Sequence, residues 1–170
     1  LVGGDEWLRE LANGWTAYVR RPGRNHIPLP ELSFDAWVKA YKPAASHGNT
    51  LVSYYEKGYL LGVCLDLELR LRSAKHGHAG SLVGLFRRLM ASHGAKGKGI
   101  TYADILAAAT AEAGEPMDAF FTRHVDGTDE LPLPALLAQI GETVTNTSPS
   151  RAYSGLVLET TRIIKNVEPG

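Results

Sequence analysis

The chain has 170 residues, of which 44% are hydrophobic and 21% are charged, so it is long enough to form one globular domain with a buried core. Lysine plus arginine equals aspartate plus glutamate at 18 each, and the pI is about 7.2. Nucleic-acid-binding proteins usually have a basic surface and a high pI, so this function is disfavoured. The single cysteine, Cys64, excludes an internal disulfide and a zinc site built from cysteines, and its apolar neighbours predict a small buried side chain.

The sequence contains neither a membrane-spanning stretch nor a targeting segment. Its charge-free runs are far shorter than the roughly 20 residues that cross a bilayer, and no basic-then-apolar leader is visible. We therefore expect no membrane partner, and the cellular compartment stays open. Because the chain starts at Leu1 and ends at Gly170, we expect it to be a piece of a longer protein.

The first two helices are predicted from apolar spacing and proline positions. Apolar residues recur three and four apart between Asp5 and Arg20, which predicts a helix that ends at Pro22-Gly23. After a proline-containing loop, Ser33 is predicted to cap a short helix that stops at Pro43. Its apolar residues are Phe34, Trp37, Val38 and Tyr41.

A long, central helix is predicted next. Asn49 or Thr50 is the expected cap, and the helix extends to about Ser73. Its apolar residues surround most of the circumference, which is typical of a helix buried at the centre of a domain. Gly58 and Gly62 are four residues apart, a spacing that would let another element approach closely.

Four further helices follow, and most have a recognisable end signal. Ser81 begins a helix with one apolar stripe made of Leu82, Leu85, Phe86, Leu89 and Met90. Thr101 and Asp104 form a capping box for a helix that ends at Gly114. Pro116 is expected to start a helix closed by Gly127, and the last helix covers Leu133 to Ile140.

The composition changes after residue 142. Residues 143–154 are rich in Thr, Ser and Asn, which predicts a linker, and residues 155–167 have the Leu-Val-Leu and Ile-Ile runs typical of strands. The predicted fold class is therefore mainly α, a helical bundle-like arrangement with a short β tail.

Most motifs for catalysis or metal binding are absent from the sequence. The six histidines do not form a His-Glu-x-x-His pattern, and His76-Gly77-His78 lies in a predicted solvated loop without a third ligand nearby. The segment 94–99 lacks the Lys-Ser/Thr end of a phosphate-binding loop and does not follow a strand. Asp66 and Glu68 are two residues apart on a helix, so they point in different directions.

Tyr55 has two interpretations from the residues alone. It can be a buried tyrosine at a helix start whose hydroxyl binds the backbone. Alternatively, the hydroxyl can face a cavity while the following turns anchor the helix in the core.

A family resemblance rests on the segment Ser53 to Gly58, followed by the apolar residues 60–70. This segment resembles the Tyr-Glu-Lys-Gly helix of gluzincin metallo-aminopeptidases, and most closely that of the glycyl aminopeptidase family, whose members carry a PDZ domain after the catalytic domain. Supporting segments in the family's order are 4–8, 34–43 and 120–132. The resemblance covers residues 1 to about 142, and residues 155–170 look like the opening of the PDZ domain.

The resemblance implies a thermolysin-like zinc hydrolase that removes N-terminal residues, often Gly or Ala, from peptides. The residue that matches the family's oxyanion-stabilising tyrosine is Tyr55, with Tyr54 as the runner-up. The family's zinc-binding histidines, third zinc ligand and catalytic glutamate match no residue of this chain. Zinc is therefore expected in the full-length protein, whereas this chain alone is expected to bind no zinc and to be inactive.

These observations lead to a domain prediction and two functional hypotheses. Residues 1–142 are predicted to be the helical C-terminal part of the catalytic domain, 143–154 a linker and 155–170 the start of a PDZ domain. The alternative hypothesis is a non-enzymatic helical interaction module. In either case, we expect surplus apolar surface on the long or the first helix, which a dimer would cover.

Overall fold

The computed structural model describes residues 4–39, 51–145, 156–158 and 164–167. The helices are α1 Gly4–Val19, α2 Leu29–Phe34, α3 Ala36–Lys39, α4 Tyr54–Lys75, α5 Leu82–Ser92, α6 Tyr102–Ala113, α7 Asp118–His124 and α8 Leu133–Gln139. Short 3-10 turns cover Pro22–Asn25 and Gly94–Lys96. Two short strands, β1 Leu156–Leu158 and β2 Ile164–Val167, follow. The prediction of a mainly α fold with a short β tail is confirmed.

Helix α4 is the centre of the fold, as predicted from its apolar circumference. It packs against α1, α2, α5, α6 and α8. Its buried side chains include Leu60, Leu61, Leu67 and Leu69, which belong to one continuous hydrophobic core. Cys64 is fully buried in the same core, and burial raises the pKa of its thiol to about 12. Cys64 is therefore a protonated, small hydrophobic side chain at neutral pH.

Several predicted helix starts need correction. Ser53 caps α4, whereas the sequence predicted Asn49 or Thr50 as the cap. Asn49 and Thr50 lie outside the described residues, as do Tyr41 and Pro43 of the preceding predicted helix. The serine hydroxyl accepts a hydrogen bond from the backbone N–H of Glu56, a bond characteristic of an N-cap.

The short helix predicted to start at Ser33 begins earlier. Helix α2 starts at Leu29 after Pro28, so Ser33 lies inside the helix. Pro30 is tolerated in the first turn because the N–H that it lacks would have no partner within the helix. Helix α7 begins at Asp118, two residues after Pro116, because Met117 still has a non-helical conformation and its N–H donates to the Thr110 hydroxyl. It ends at His124, before the end predicted at Gly127.

Other end signals are confirmed. Ser81 caps α5, and Thr101 with Asp104 forms a complete capping box at the start of α6. Gly114 ends α6 with a φ of +80°, a left-handed conformation that glycine adopts without strain. The close approach expected at Gly58 is wrong for the described residues, since nothing lies within 4 Å of a Cβ built there. A Cβ built at Gly62 would lie 4.0 Å from the Leu82 side chain, an ordinary van der Waals distance.

The β tail is an antiparallel pair. Leu156 pairs with Val167, Val157 with Asn166 and Leu158 with Ile164, with a register irregularity after Val157. The assignment of residues 155–170 to a PDZ domain stays a prediction. Residues 143–145 belong to neither a helix nor a strand, and the rest of the predicted linker lies outside the described residues.

Apolar side chains are exposed on several helices. The most exposed ones, Phe34, Trp37 and Val38, lie on α2 and α3, while α4 exposes Tyr55 and Tyr59. The single stripe predicted for α5 is divided: Leu85 and Leu89 are buried, but Phe86 and Met90 face solvent. Across the described ranges, none of the helices has the length and apolar character needed to cross a membrane.

Candidate functional site

Tyr55 lies in the first turn of α4 and is accessible. Its side chain is 67% exposed, and its ring packs at 4.1 Å from the ring of Tyr54. Tyr54 is half-buried and contacts the hydrophobic core, so it anchors one side of the Tyr55 ring. The interpretation of Tyr55 as a buried tyrosine is wrong. An exposed phenol at this position can donate a hydrogen bond to a bound molecule.

Lys57 is the buried residue of the same turn. Its side chain is 0% exposed, and its ammonium donates hydrogen bonds to the backbone carbonyls of Arg24, at 3.0 Å, and Ile27, at 3.2 Å. Burial lowers the pKa of Lys57, and the carboxylate of Glu130 partly opposes this effect. The lysine therefore fastens the segment between α1 and α2 to the start of α4.

A polar network beside Lys57 joins three parts of the chain. Glu130 accepts hydrogen bonds from Arg24 Nε at 2.9 Å and from Asn25 Nδ2 at 3.1 Å. The Tyr18 hydroxyl donates to Asn25 Oδ1 at 3.4 Å, and burial together with the Glu130 carboxylate raises the pKa of Tyr18. The network connects α1, the 3-10 turn and the segment after α7, so it fixes the surroundings of the first turn of α4.

Glu56 has an unusual carboxylate. Its Oε2 atom is buried and has no hydrogen-bond partner within the part of the chain that the structure describes. Buried carboxylate oxygens normally accept hydrogen bonds, because an unpaired one has a cost in free energy. Glu56 therefore has a buried acceptor atom for which the described residues supply no donor.

The described residues do not form a metal site. They contain no group of three or more His, Cys, Asp or Glu side chains placed to hold a metal ion. His78 Nε2 lies 3.0 Å from the Glu112 carbonyl and His76 Nε2 lies 3.4 Å from Glu115, both on the surface. The buried His124 packs against Phe120, and burial, followed by Arg123, lowers its pKa. These donors do not fit the zinc that the resemblance implies, so no reaction step is assigned to a metal here.

A second group of polar residues lies in a groove of about 520 Å³ between α5 and α6. Ser92 Oγ is 2.8 Å from His93 Nδ1, and His93 Nε2 is 3.4 Å from Asp104. The Ser92 hydroxyl also donates to the Arg88 carbonyl, while Asp104 Oδ2 accepts from the N–H and hydroxyl of Thr101. These are hydrogen bonds of helix ends, and the arrangement lacks the free serine–histidine pair of a hydrolase.

The sequence indicated Tyr55 but missed the residues around it. Lys57 and Glu130 lie in segments 53–58 and 120–132, which carry the family resemblance, but no local pattern distinguishes them there. Arg24 has no sequence signal because its partner, Glu130, is 106 positions away. The groove residues Ser92 and His93 were also missed, since only the capping box at Asp104 was recognisable.

Comparison with known proteins supports the resemblance for the first third of the chain. Residues 1–61 match the sequence model of the M61 glycyl aminopeptidase family, and this match includes Tyr55 to Gly58. The family resemblance predicted from the Tyr-Glu-Lys-Gly segment is confirmed for these residues. No curated protein and no solved structure matches the chain.

Proposed function

We propose that this chain is the helical part of a zinc aminopeptidase that removes N-terminal residues, with Gly or Ala preferred, from peptides. The family match over residues 1–61 supports a peptidase, and the observation that carries the proposal is the exposed Tyr55 in a turn fixed by Lys57. Tyr55 is proposed over Tyr54 because the Tyr54 ring is half-buried against the core.

In this proposal the Tyr55 hydroxyl stabilises the oxyanion that forms when water attacks the scissile carbonyl. The phenol O–H is a hydrogen-bond donor of the kind that stabilises such an oxyanion. The N-terminus of α4 adds a favourable partial positive charge next to the developing negative charge. The resemblance assigns zinc ligands to none of this chain's residues, so we propose that the chain alone is inactive.

Substitution of Tyr55 by Phe in the full-length enzyme tests this role. Loss of one oxyanion donor typically lowers kcat by about 10²–10³. We expect a loss of this size with unchanged zinc content and little change in KM, because the contact forms mainly in the transition state. Tyr59→Phe, on the same helix and also exposed, is the matched control and should leave kcat unchanged. Equal turnover of wild type and Tyr55→Phe would exclude the proposed role.

The alternative function is a helical interaction module without catalysis. It is favoured by the exposed apolar side chains Phe34, Trp37 and Val38 on α2 and α3. A His-Glu-x-x-His helix encoded upstream of Leu1 would support the enzyme, and its absence from the full gene would support the module.

We also propose that exposed apolar helix faces bring two copies together as a dimer. Phe34→Ser should shift the molecular mass in light scattering from dimer towards monomer, because Phe34 is the most exposed of these apolar side chains. Val144→Ser, at an apolar residue outside the helices, is the control. A wild-type monomer at all concentrations would contradict the dimer.

A further inference from the structure

The outer face of α5 is apolar where a surface helix is normally polar. Val83, Phe86 and Met90 are 54%, 60% and 63% exposed, and their spacing of three and four residues places them on one side of the helix. Leu85 and Leu89, on the adjoining side of the helix, are already buried in the core. The helix therefore presents a second apolar stripe that the core does not use.

This stripe lies in the most basic part of the chain. Residues 69–103 contain no Asp or Glu, although the chain as a whole has no net charge. Arg70 and Arg72 pair with Asp66 and Glu68 on the same helix, α4, and Arg88 pairs with Glu112 on α6. Arg87, Lys96 and Lys98 are exposed and form no ion pair with the described residues. Arg87 lies next to the apolar stripe, and the two lysines follow the C-terminal end of α5.

The groove between α5 and α6 begins at Arg88 and Ala91, the sequence neighbours of Arg87 and Met90. Ala91, Ala107, Ala108 and Ala111 line it, and their small side chains leave room for the side chains of a bound segment. Arg88 lies at the groove, where it is half exposed and bound to the buried Glu112. Asp104 also lines the groove, but the Thr101 N–H and hydroxyl hold its carboxylate and lower its pKa.

We propose that the outer face of α5, defined as Val83, Phe86, Arg87, Met90, Lys96 and Lys98, together with the adjoining groove, binds a segment of another protein that combines acidic and apolar residues. Its apolar side chains would contact Phe86 and Met90 and enter the alanine-lined groove, while its carboxylates would pair with the three unpaired cations. Phe, Met and Arg are enriched at protein interfaces.

Two other occupants fit less well. A second copy of this chain would place the same unpaired cations opposite one another, and like charges across an interface are unfavourable. An anionic bilayer would satisfy the cations but leaves the groove unused, because a lipid surface is flat at this scale.

Fluorescence anisotropy with labelled synthetic peptides tests the proposal on the 170-residue chain. The probe alternates Glu and Leu, and the control peptides alternate Glu with Ser and Lys with Leu. We expect only the Glu-Leu peptide to bind well, with an affinity that decreases as salt is added. Reversing three charges in Arg87→Glu/Lys96→Glu/Lys98→Glu should weaken binding about tenfold. Replacing Phe86 and Met90 by Ser should also weaken it.

The matched control is Arg9→Glu/Arg20→Glu/Arg21→Glu, which reverses three exposed arginines at and just beyond α1 and changes the net charge equally. It should bind the Glu-Leu peptide as the wild type does. Equal weakening in both triple variants, or no binding of the Glu-Leu peptide, would overturn the proposal. Stronger binding to phosphatidylserine-containing vesicles than to the peptide would instead identify a lipid surface as the occupant and would also overturn it.

Discussion

Lys57→Met is the substitution that most directly tests how the first turn of α4 is held. Methionine has a similar length and keeps the apolar contacts of the lysine stem, but it cannot donate to the carbonyls of Arg24 and Ile27. We expect the variant to fold with a lower free energy of unfolding. The segment between α1 and α2 would lose its connection to α4.

The size of the effect follows from two opposing contributions. Each hydrogen bond from a charged group contributes about 1.5–3 kcal/mol, and two such bonds are lost. Removal of the buried ammonium also removes its desolvation cost, which amounts to a few kcal/mol and is the cause of its lowered pKa. The net loss is therefore about 2 kcal/mol, which for a protein of this size lowers the Tm by about 4–8 °C.

Urea unfolding monitored by circular dichroism measures this difference. Lys75→Met is the control, since Lys75 lies on the same helix, is exposed and makes no ion pair with the described residues. It should change the unfolding free energy by less than about 1 kcal/mol. If Lys57→Met were as stable as Lys75→Met, the two carbonyl contacts would contribute nothing, and the argument that Lys57 fixes the Tyr55 turn would fail.

Two further predictions concern α5 and α6. Gly84→Ala should destabilise the protein by about 2 kcal/mol because the added Cβ overlaps the buried Glu112 carboxylate, which binds Ser81 N–H and Arg88. Gly58→Ala is the control: its added Cβ lies in open space, so the unfolding free energy should rise by up to about 1 kcal/mol. Equal changes of the unfolding free energy in the two variants, measured by urea unfolding, would refute the overlap at Gly84. Hydrogen bonds from Thr101 lower the pKa of the Asp104 carboxyl. The ionised carboxylate therefore stabilises the folded protein above the ordinary pKa of an aspartate, and this stabilisation is lost as the pH falls through the lower, folded-state pKa. The difference in unfolding free energy between wild type and Asp104→Ala should therefore shrink below about pH 4, and a constant difference would contradict this reasoning.

Local signals in the sequence predicted the helices and several of their ends. The capping box at Thr101 and the glycine at Gly114 involve residues within a few positions of each other, so their effect can be inferred without tertiary structure. The Ser33 prediction failed because Pro30 is compatible with the first turn of a helix, and a sequence pattern cannot show which of two nearby starts the packing selects.

Apolar periodicity predicted the central position of α4 but not the use of each face of α5. The spacing of Leu85, Phe86, Leu89 and Met90 suits one continuous stripe, yet the neighbouring helices cover only two of these residues. Which apolar residues are buried depends on where α4 and α6 lie, and that placement is not encoded in the spacing along α5.

By itself, the sequence determined the helix-rich class of the chain, the buried state of Cys64 and the choice of Tyr55 as the candidate site residue. Each of these depends on nearby residues or on a short motif. Only the tertiary structure decided that Tyr55 is exposed while Lys57 is buried, and that Lys57 binds carbonyls 30 and 33 positions away. The physical reason is that a lysine can be buried only where the fold supplies acceptors, and here those acceptors come from a distant part of the chain.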